Sequence, residues 1–313
     1  MKIAIAGAGA MGSRFGYVLS QSGQDVILID QWKEHVEAVQ ENGLHINLDG
    51  EKRVAELPMY LPAELVDKNL EVDLIILFTK AMQLDSMLQA IQSVIHENTK
   101  VLCLLNGIGH EDIVEKYVAK ENILLGNTMW TAGMEGPGRI KLFGQGSVDL
   151  QNIHPDGQKG AEEVVAVLNQ AGLNAIYSEN VLYSIYKKAC VNGTLNGLCT
   201  LLDVNIAGFG STAHSDTIIR TIVDEFISIA AREGVTLDAE VVIAQIQATF
   251  DPDGIGLHYP SMYQDLMINH RLTEIDYING AIVKKGQKYG IATPYCAFLT
   301  QLVHCKEEIL NVK

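Results

Sequence analysis

The stretch KIAIAGAGAMGSRFGYVLSQSGQDVILID, residues 2–30, constrains the fold more than any other part of the chain. A short apolar run ends at Gly7. Met11, Phe15, Val18 and Leu19 then recur at helical spacing, which predicts a helix over 10–22. DVILID at 25–30 is nearly all apolar, as expected of a strand buried on both faces. Strand, glycine turn, helix and strand make a βαβ unit, and G-x-G-x-x-G at its first turn is a dinucleotide fingerprint. Gly7 permits the tight turn, Gly9 lets backbone approach a pyrophosphate, and Gly12 lets helix and strand pack closely. The cofactor set is therefore Gly7, Ala8, Gly9, Ala10, Met11 and Gly12, with free N–H groups at the helix start facing the phosphates.

Asp30 ends the second strand, 18 residues after Gly12. A carboxylate there accepts hydrogen bonds from both hydroxyls of the adenosine ribose and repels a 2′-phosphate. Gln31 and Trp32 are not cations, and Lys33 is the nearest base. NAD is thus expected in preference to NADP.

The alternation continues. LHINLDGEKRVAEL reads as a small hairpin about Asp49-Gly50, inserted in the wound sheet. Residues 72–80 and 100–107 read as buried strands, with an amphipathic helix over 84–95 between them. Antiparallel-type alternation follows through GRIKLFGQGSVDLQN, then a helix and a last short strand at NAIYSEN. This is the pattern of a doubly wound sheet. Beyond residue 180 strand signals nearly vanish, and long helical stretches run to the C-terminus. A chain of 313 residues exceeds one ordinary core. The expected fold is α/β: a dinucleotide-binding Rossmann domain over 1–179 and an all-helical substrate and dimerisation domain over 180–313.

A net charge of −15 argues against nucleic-acid or anionic-membrane partners, which need a basic surface. Five scattered cysteines without C-x-x-C read as free thiols in a reducing compartment. No signal-peptide pattern and no membrane-length apolar run is present, so a cytoplasmic location is expected. The nine histidines show no metal spacing.

In the helical half, Lys188, Asn192 and Asn196 are spaced by four and form one polar stripe beside apolar Leu182, Ile185, Ala189 and Leu198. Taken alone, Lys188 reads as a surface lysine, and the two asparagines, each followed by glycine, as turn chemistry. Ser261 after Pro260 reads equally as a helix cap, and Glu274 after Thr273 as a helix-start acid. Asn106-Gly107 follows a strand, at the carboxyl edge where doubly wound sheets bind ligands. Trp130 and Met134 read as core residues.

Together with GAGAMG, the blocks FTKAMQ (78–83), LLNGIG (104–109), YKKACVNGTLN (186–196), PSMYQDL (260–266), TEIDYING (273–280) and YGIATP (289–294) resemble the ketopantoate reductase family along the whole chain. The resemblance implies a Rossmann domain followed by a helical domain like that of 6-phosphogluconate dehydrogenase. It implies Lys188 as proton donor, Asn192, Asn196 and Ser261 as substrate contacts, and Glu274 and Asn106 facing cofactor and active site. Lys80 matches a cofactor-side lysine. Two departures stand out. Many members carry arginine near the end of the second strand, where this chain has Asp30, and N-G-E-L where it has VNIAG, which makes Asn205 a loose equivalent. The family also resembles NAD-dependent D-2-hydroxyacid dehydrogenases, of D-mandelate type, that act on branched substrates.

The expected reaction is hydride transfer between NAD(H) and a branched 2-oxo or D-2-hydroxy acid, with Lys188 and Glu274 as the catalytic pair. A lysine ammonium can hydrogen-bond the ketone oxygen, protonate it and stabilise its developing charge. The alternative is NADPH-dependent 2-dehydropantoate reduction. A 3-hydroxyacid dehydrogenase is disfavoured by the TEIDYING block, and a non-catalytic NAD-binding regulator leaves the Lys188 stripe without purpose. Apolar stripes on the C-terminal helices suggest a homodimer.

Overall fold

The computed structural model describes Met1–Val312. The described residues divide into two compact units. The first holds Met1–Leu105 and His110–Val181; the second holds Asn106–Gly109 and the chain from Leu182 onward.

The first unit is built on an eight-stranded sheet. Its strands are β1 (Lys2–Ala6), β2 (Asp25–Ile29), β5 (Met59–Tyr60), β6 (Leu74–Leu77), β7 (Lys100–Cys103), β8 (Ile123–Thr128), β11 (Val148–Asn152) and β12 (Ala175–Tyr177). They lie in the order β12-β11-β8-β7-β6-β1-β2-β5. From β5 to β8 all pairs are parallel; β11 runs antiparallel to β8, and β12 parallel to β11. Beyond their first residues β1 and β2 are buried, and β6 is buried throughout, which is why they read as apolar runs. The unit's helices are α1 (Ala10–Gln21), α2 (Lys33–Asn42), α3 (Leu84–Ala90), α4 (Glu111–Val114) and α5 (Gln158–Gln170).

Two expectations change here. The Asp49-Gly50 hairpin, β3 (Leu44–Leu48) and β4 (Glu51–Ala55), does not join the wound sheet. With β9 (Thr131–Gly136) and β10 (Arg139–Phe143) it forms a separate four-stranded sheet, β4-β3-β10-β9. The joint is the parallel β3–β10 pairing, a contact between segments far apart in sequence. Ile140 and Leu142 point inward, and Arg14 of α1 donates to the carbonyls of Thr131 (2.6 Å) and Phe143 (2.9 Å). Trp130 packs under the Arg14 guanidinium and donates through Nε1 to Leu173, a core role. The expected helix over 84–95 stops at Ala90, because Ile91 leaves helical dihedrals and the chain closes in a tighter turn over Gln92–Val94.

The second unit is helical: α6 (Val181–Leu202), α7 (Ile206–Gly210), α8 (Ser215–Arg232), α9 (Ala239–Ala248), α10 (Ser261–Tyr263), α11 (Asn279–Tyr289) and α12 (Pro294–Ile309). Its core gathers Tyr186, Cys190 and Leu195 of α6 with Phe226 of α8, Ile282 of α11 and Leu299 of α12. Buried Glu225 of α8 accepts the backbone N–H groups of Tyr295 and Cys296, both at 2.8 Å. It thereby caps the start of α12, where a carboxylate is favoured. Gly290 ends α11 in the left-handed conformation at φ 68°.

Asn106–Gly109 packs with these helices, although a boundary at residue 180 assigns it to the first domain. The Ile108 N–H donates to the Tyr277 carbonyl at 2.9 Å. Gly107, at φ 105°, lies so close that an added Cβ would stand 2.4 Å from the same oxygen. Among the described residues no helix is long and apolar enough to cross a membrane. The five cysteines form no disulfide.

Candidate active site

In the first unit the three loop glycines differ in the space around them. A Cβ on Gly7 would meet the Thr79 nitrogen at 2.4 Å, and one on Gly12 the Gly7 carbonyl at 2.1 Å. Both are therefore fixed by the fold itself. Gly9 has nothing within 4 Å of such a Cβ, so its glycine is not required by packing. Gly9 is also the N-cap of α1 and offers no side chain to its N–H groups. Bare helix-start donors beside an open glycine fit a pyrophosphate. Ala8 is buried, and its carbonyl is held by Ser13 Oγ (2.7 Å) and His35 Nε2 (2.8 Å). Ala10 and Met11 begin α1 and are half-buried.

Because β1 and β6 pair in parallel, their carboxyl ends lie side by side. Lys80 follows β6 at that edge and is half-buried. Asp30 follows β2 at the same edge; its Oδ1 accepts the Trp32 N–H at 2.9 Å. That bond orients the carboxylate at the strand end, where a ribose is expected. Lys33 pairs with Glu37 at 3.5 Å on the surface. His35 is fully buried; its Nδ1 accepts the Gly138 N–H at 2.8 Å, so Nε2 is the nitrogen that donates to Ala8. Burial lowers its pKa, against the hydrogen bond to Ala8 and the charge of Asp30.

The second unit contains a narrow polar cleft lined by Asn106, Asn192, Asn196, Ser261, Met262, Asp265, Glu274 and Ile278. α6 contributes the two asparagines from one face, one turn apart. Lys188 is one turn further back on that face. Burial lowers the Lys188 ammonium from the ordinary 10.5 to about 8, against the opposing charge of Glu274. Glu274 is buried and precedes a tight turn over Ile275–Tyr277. This turn, and the break at Ile278, delay α11 to Asn279. The Asn279 side-chain amide donates to the Gly193 carbonyl at 2.9 Å, tying the start of α11 to α6 between the two asparagines.

The sequence singled out Asn106, Asn192, Asn196, Ser261 and Glu274, and the fold brings all five to one cleft. Asn205 is not among the lining residues. It caps α7, accepting the Gly208 N–H at 2.8 Å, so N-I-A-G serves as a helix start in this chain. Met262, Asp265 and Ile278 line the cleft without having been singled out. Asp265 is 3% exposed and pairs with Arg271 at 2.6 Å, six residues on. That spacing belongs to no helical pairing rule and gave no signal. No group of three or more potential metal ligands occurs among the described residues.

A family model described as ketopantoate reductase PanE/ApbA matches residues 3–155, and its C-terminal counterpart matches 180–307. A 2-dehydropantoate 2-reductase of Lactococcus lactis subsp. lactis (strain IL1403) is 60% identical over the full length of both chains. The solved ternary structure of D-mandelate dehydrogenase with NADH and anilino(oxo)acetate is 63% identical, covers both chains fully and superposes with a TM-score of 0.96. A putative 2-dehydropantoate 2-reductase from Enterococcus faecalis is also 63% identical over both full chains, with a TM-score of 0.84.

Proposed function

The chain belongs to the ketopantoate reductase family and is an oxidoreductase, and from that premise we propose that it interconverts a branched 2-oxo acid and its D-2-hydroxy acid with NAD(H), Lys188 acting as general acid and base. The observation that carries the chemistry is a lysine with a pKa near 8 on the same helix face as two cleft-lining amides. At pH 7 such a lysine is roughly ten to one protonated, so it can give a proton to a ketone oxygen and recover one near neutrality. Its charge also stabilises the oxyanion that develops at that oxygen. Asn192, Asn196, Asn106 and Ser261 would grip the carboxylate and hydroxyl without adding titratable charge. Glu274 keeps Lys188 from falling further toward the neutral amine.

The loop from Gly7 to Gly12, Lys80 and Asp30 of the first unit would hold the nicotinamide dinucleotide. When bound, that group supplies the hydride. Asp30 favours NADH, since its carboxylate would face a 2′-phosphate of like charge and Lys33 is engaged with Glu37. The D-mandelate dehydrogenase solved with NADH supports the same choice. The second reading is 2-dehydropantoate reduction, favoured by the name of the Lactococcus relative.

The proposal includes a homodimer. α12 exposes Tyr295, Phe298, Leu302, Cys305 and Ile309 at alternating three- and four-residue steps, an apolar seam of the kind helices bury against a partner. A reducing, cytoplasmic setting fits five unpaired cysteines. The catalytic reading is tested by Lys188→Ala. Turnover of 2-oxo acids should fall about 10²–10⁴-fold while NADH binding, followed by fluorescence titration, persists. Unchanged turnover refutes the assignment.

A further inference from the structure

We propose that His304 is a positioning residue for Glu274: as an imidazolium held between Asp276 and Glu307, it fixes the turn on which Glu274 enters the cleft. The proposal rests on the reading of Glu274 as the partner of Lys188.

The geometry is a closed chain of bonds around Glu274. His304 Nε2 lies 2.9 Å from Asp276 Oδ1, and Nδ1 lies 2.8 Å from Glu307 Oε2. The other oxygen of Glu307, Oε1, accepts the Thr273 N–H at 2.8 Å. Thr273 immediately precedes Glu274, and Asp276 follows it by two residues. Both ends of the segment are thus tied to α12, Thr273 by Glu307 directly and Asp276 through the imidazole, which also holds Glu307.

The protonation state follows from the partners. A carboxylate only accepts hydrogen bonds. With both carboxylates ionised, two ring nitrogens that each face a carboxylate oxygen both carry hydrogen, which is the cationic form. Glu307 is 5% exposed, and a carboxylate so deeply buried needs a cation beside it. The charged groups facing the ring are Asp276 from the turn and Glu307 from its own helix. Lys306, next in sequence, turns away to the Thr200 carbonyl at 2.6 Å.

Burial pushes His304 down, but its hydrogen bonds to Glu307 and Asp276 and their charges outweigh it and hold the group above the ordinary 6.5. A raised value means that the clamp is complete below about 6.5 and is lost as pH rises through the folded-state value. A neutral ring then points a lone pair at one carboxylate, and that tie to the turn opens.

His304→Gln and His304→Arg test the idea in the full-length enzyme with NADH and a 2-oxo acid. Glutamine has one donor group and no charge, so it cannot satisfy both carboxylates as a cation. Arginine stays charged and carries several donors. His304→Gln should lower kcat about tenfold or more, because a small misplacement of a catalytic group is costly, while KM for NADH stays unchanged. His304→Arg should restore most of the rate and remove one ionisation from the alkaline side of the pH profile. Imidazole NMR of the cofactor-free enzyme should show one histidine titrating above 6.5 that disappears in His304→Gln.

A His304→Gln enzyme with wild-type kcat and pH profile, even if its melting temperature drops, overturns the proposal and leaves only a structural tie. So does a His304→Arg enzyme as impaired as His304→Gln. Glu274→Gln is measured in parallel. If it too is silent, the reading of Glu274 is wrong and the proposal falls with it. If it is impaired and His304→Gln is not, the positioning role alone is overturned.

Discussion

Replacing Glu274 by Gln should move the alkaline limb of the reductase pH profile toward acid. Lys188 stands at about 8 in place of 10.5, with burial pushing it down and Glu274 pushing it up. That displacement is about 3 kcal/mol in favour of the neutral amine. Opposite charges at short range are worth between about one and three pH units, and glutamine removes that share. The limb should therefore fall from about 8 to somewhere near 5–7. At pH 7 the wild-type lysine is about ten to one ammonium, whereas the variant holds at most about half. The assay is kcat/KM for 2-oxo acid reduction from pH 5 to 10, with solubility and cofactor binding checked in parallel. The position of the limb is the readout, because the amplitude also carries any change in substrate contact. The reverse reaction needs the neutral amine, so its acid limb should shift in the same direction. A limb that stays near 8, or moves up, would show that Lys188 is not the titrating acid or that Glu274 does not hold it.

Two further outcomes separate the parts of the account. Gly9→Ala should fold normally yet weaken NADH binding, since its Cβ enters open space; Gly12→Ala should lose about 1–3 kcal/mol of stability, since its Cβ meets the Gly7 carbonyl. Thermal melts and cofactor titration of both variants check this, and equal stability loss in the two would contradict it. Phe298→Asp, in the middle of the α12 seam, should convert a dimer to a monomer in light scattering; a monomeric wild type would refute the interface.

Much of the fold was legible because it is written locally. The first strand, glycine turn and helix occupy consecutive residues, and buried parallel strands leave apolar runs that need no partner to recognise. The second sheet was not legible. Its joint pairs His45 with Arg139, and no local period records a contact across that distance. The cleft was half legible. Lys188, Asn192 and Asn196 show as a stripe because helix geometry fixes their spacing. Asp265 hides because an aspartate next to Gln264 looks like a surface charge until Arg271 folds back onto it. Asn205 caps α7, and a capping asparagine and a ligand-binding one look alike before a glycine-containing turn.

The proposed role of Asp30, at the end of β2, is to select NADH for a 2-oxo acid reductase. Steady-state kinetics with NADH and NADPH across a panel of branched and aromatic 2-oxo acids, ketopantoate included, tests it most directly. The expected result is a higher kcat/KM with NADH for every accepted substrate, and a marked gain with NADPH when Asp30 is replaced by a neutral residue. A strong preference for NADPH with ketopantoate would contradict it.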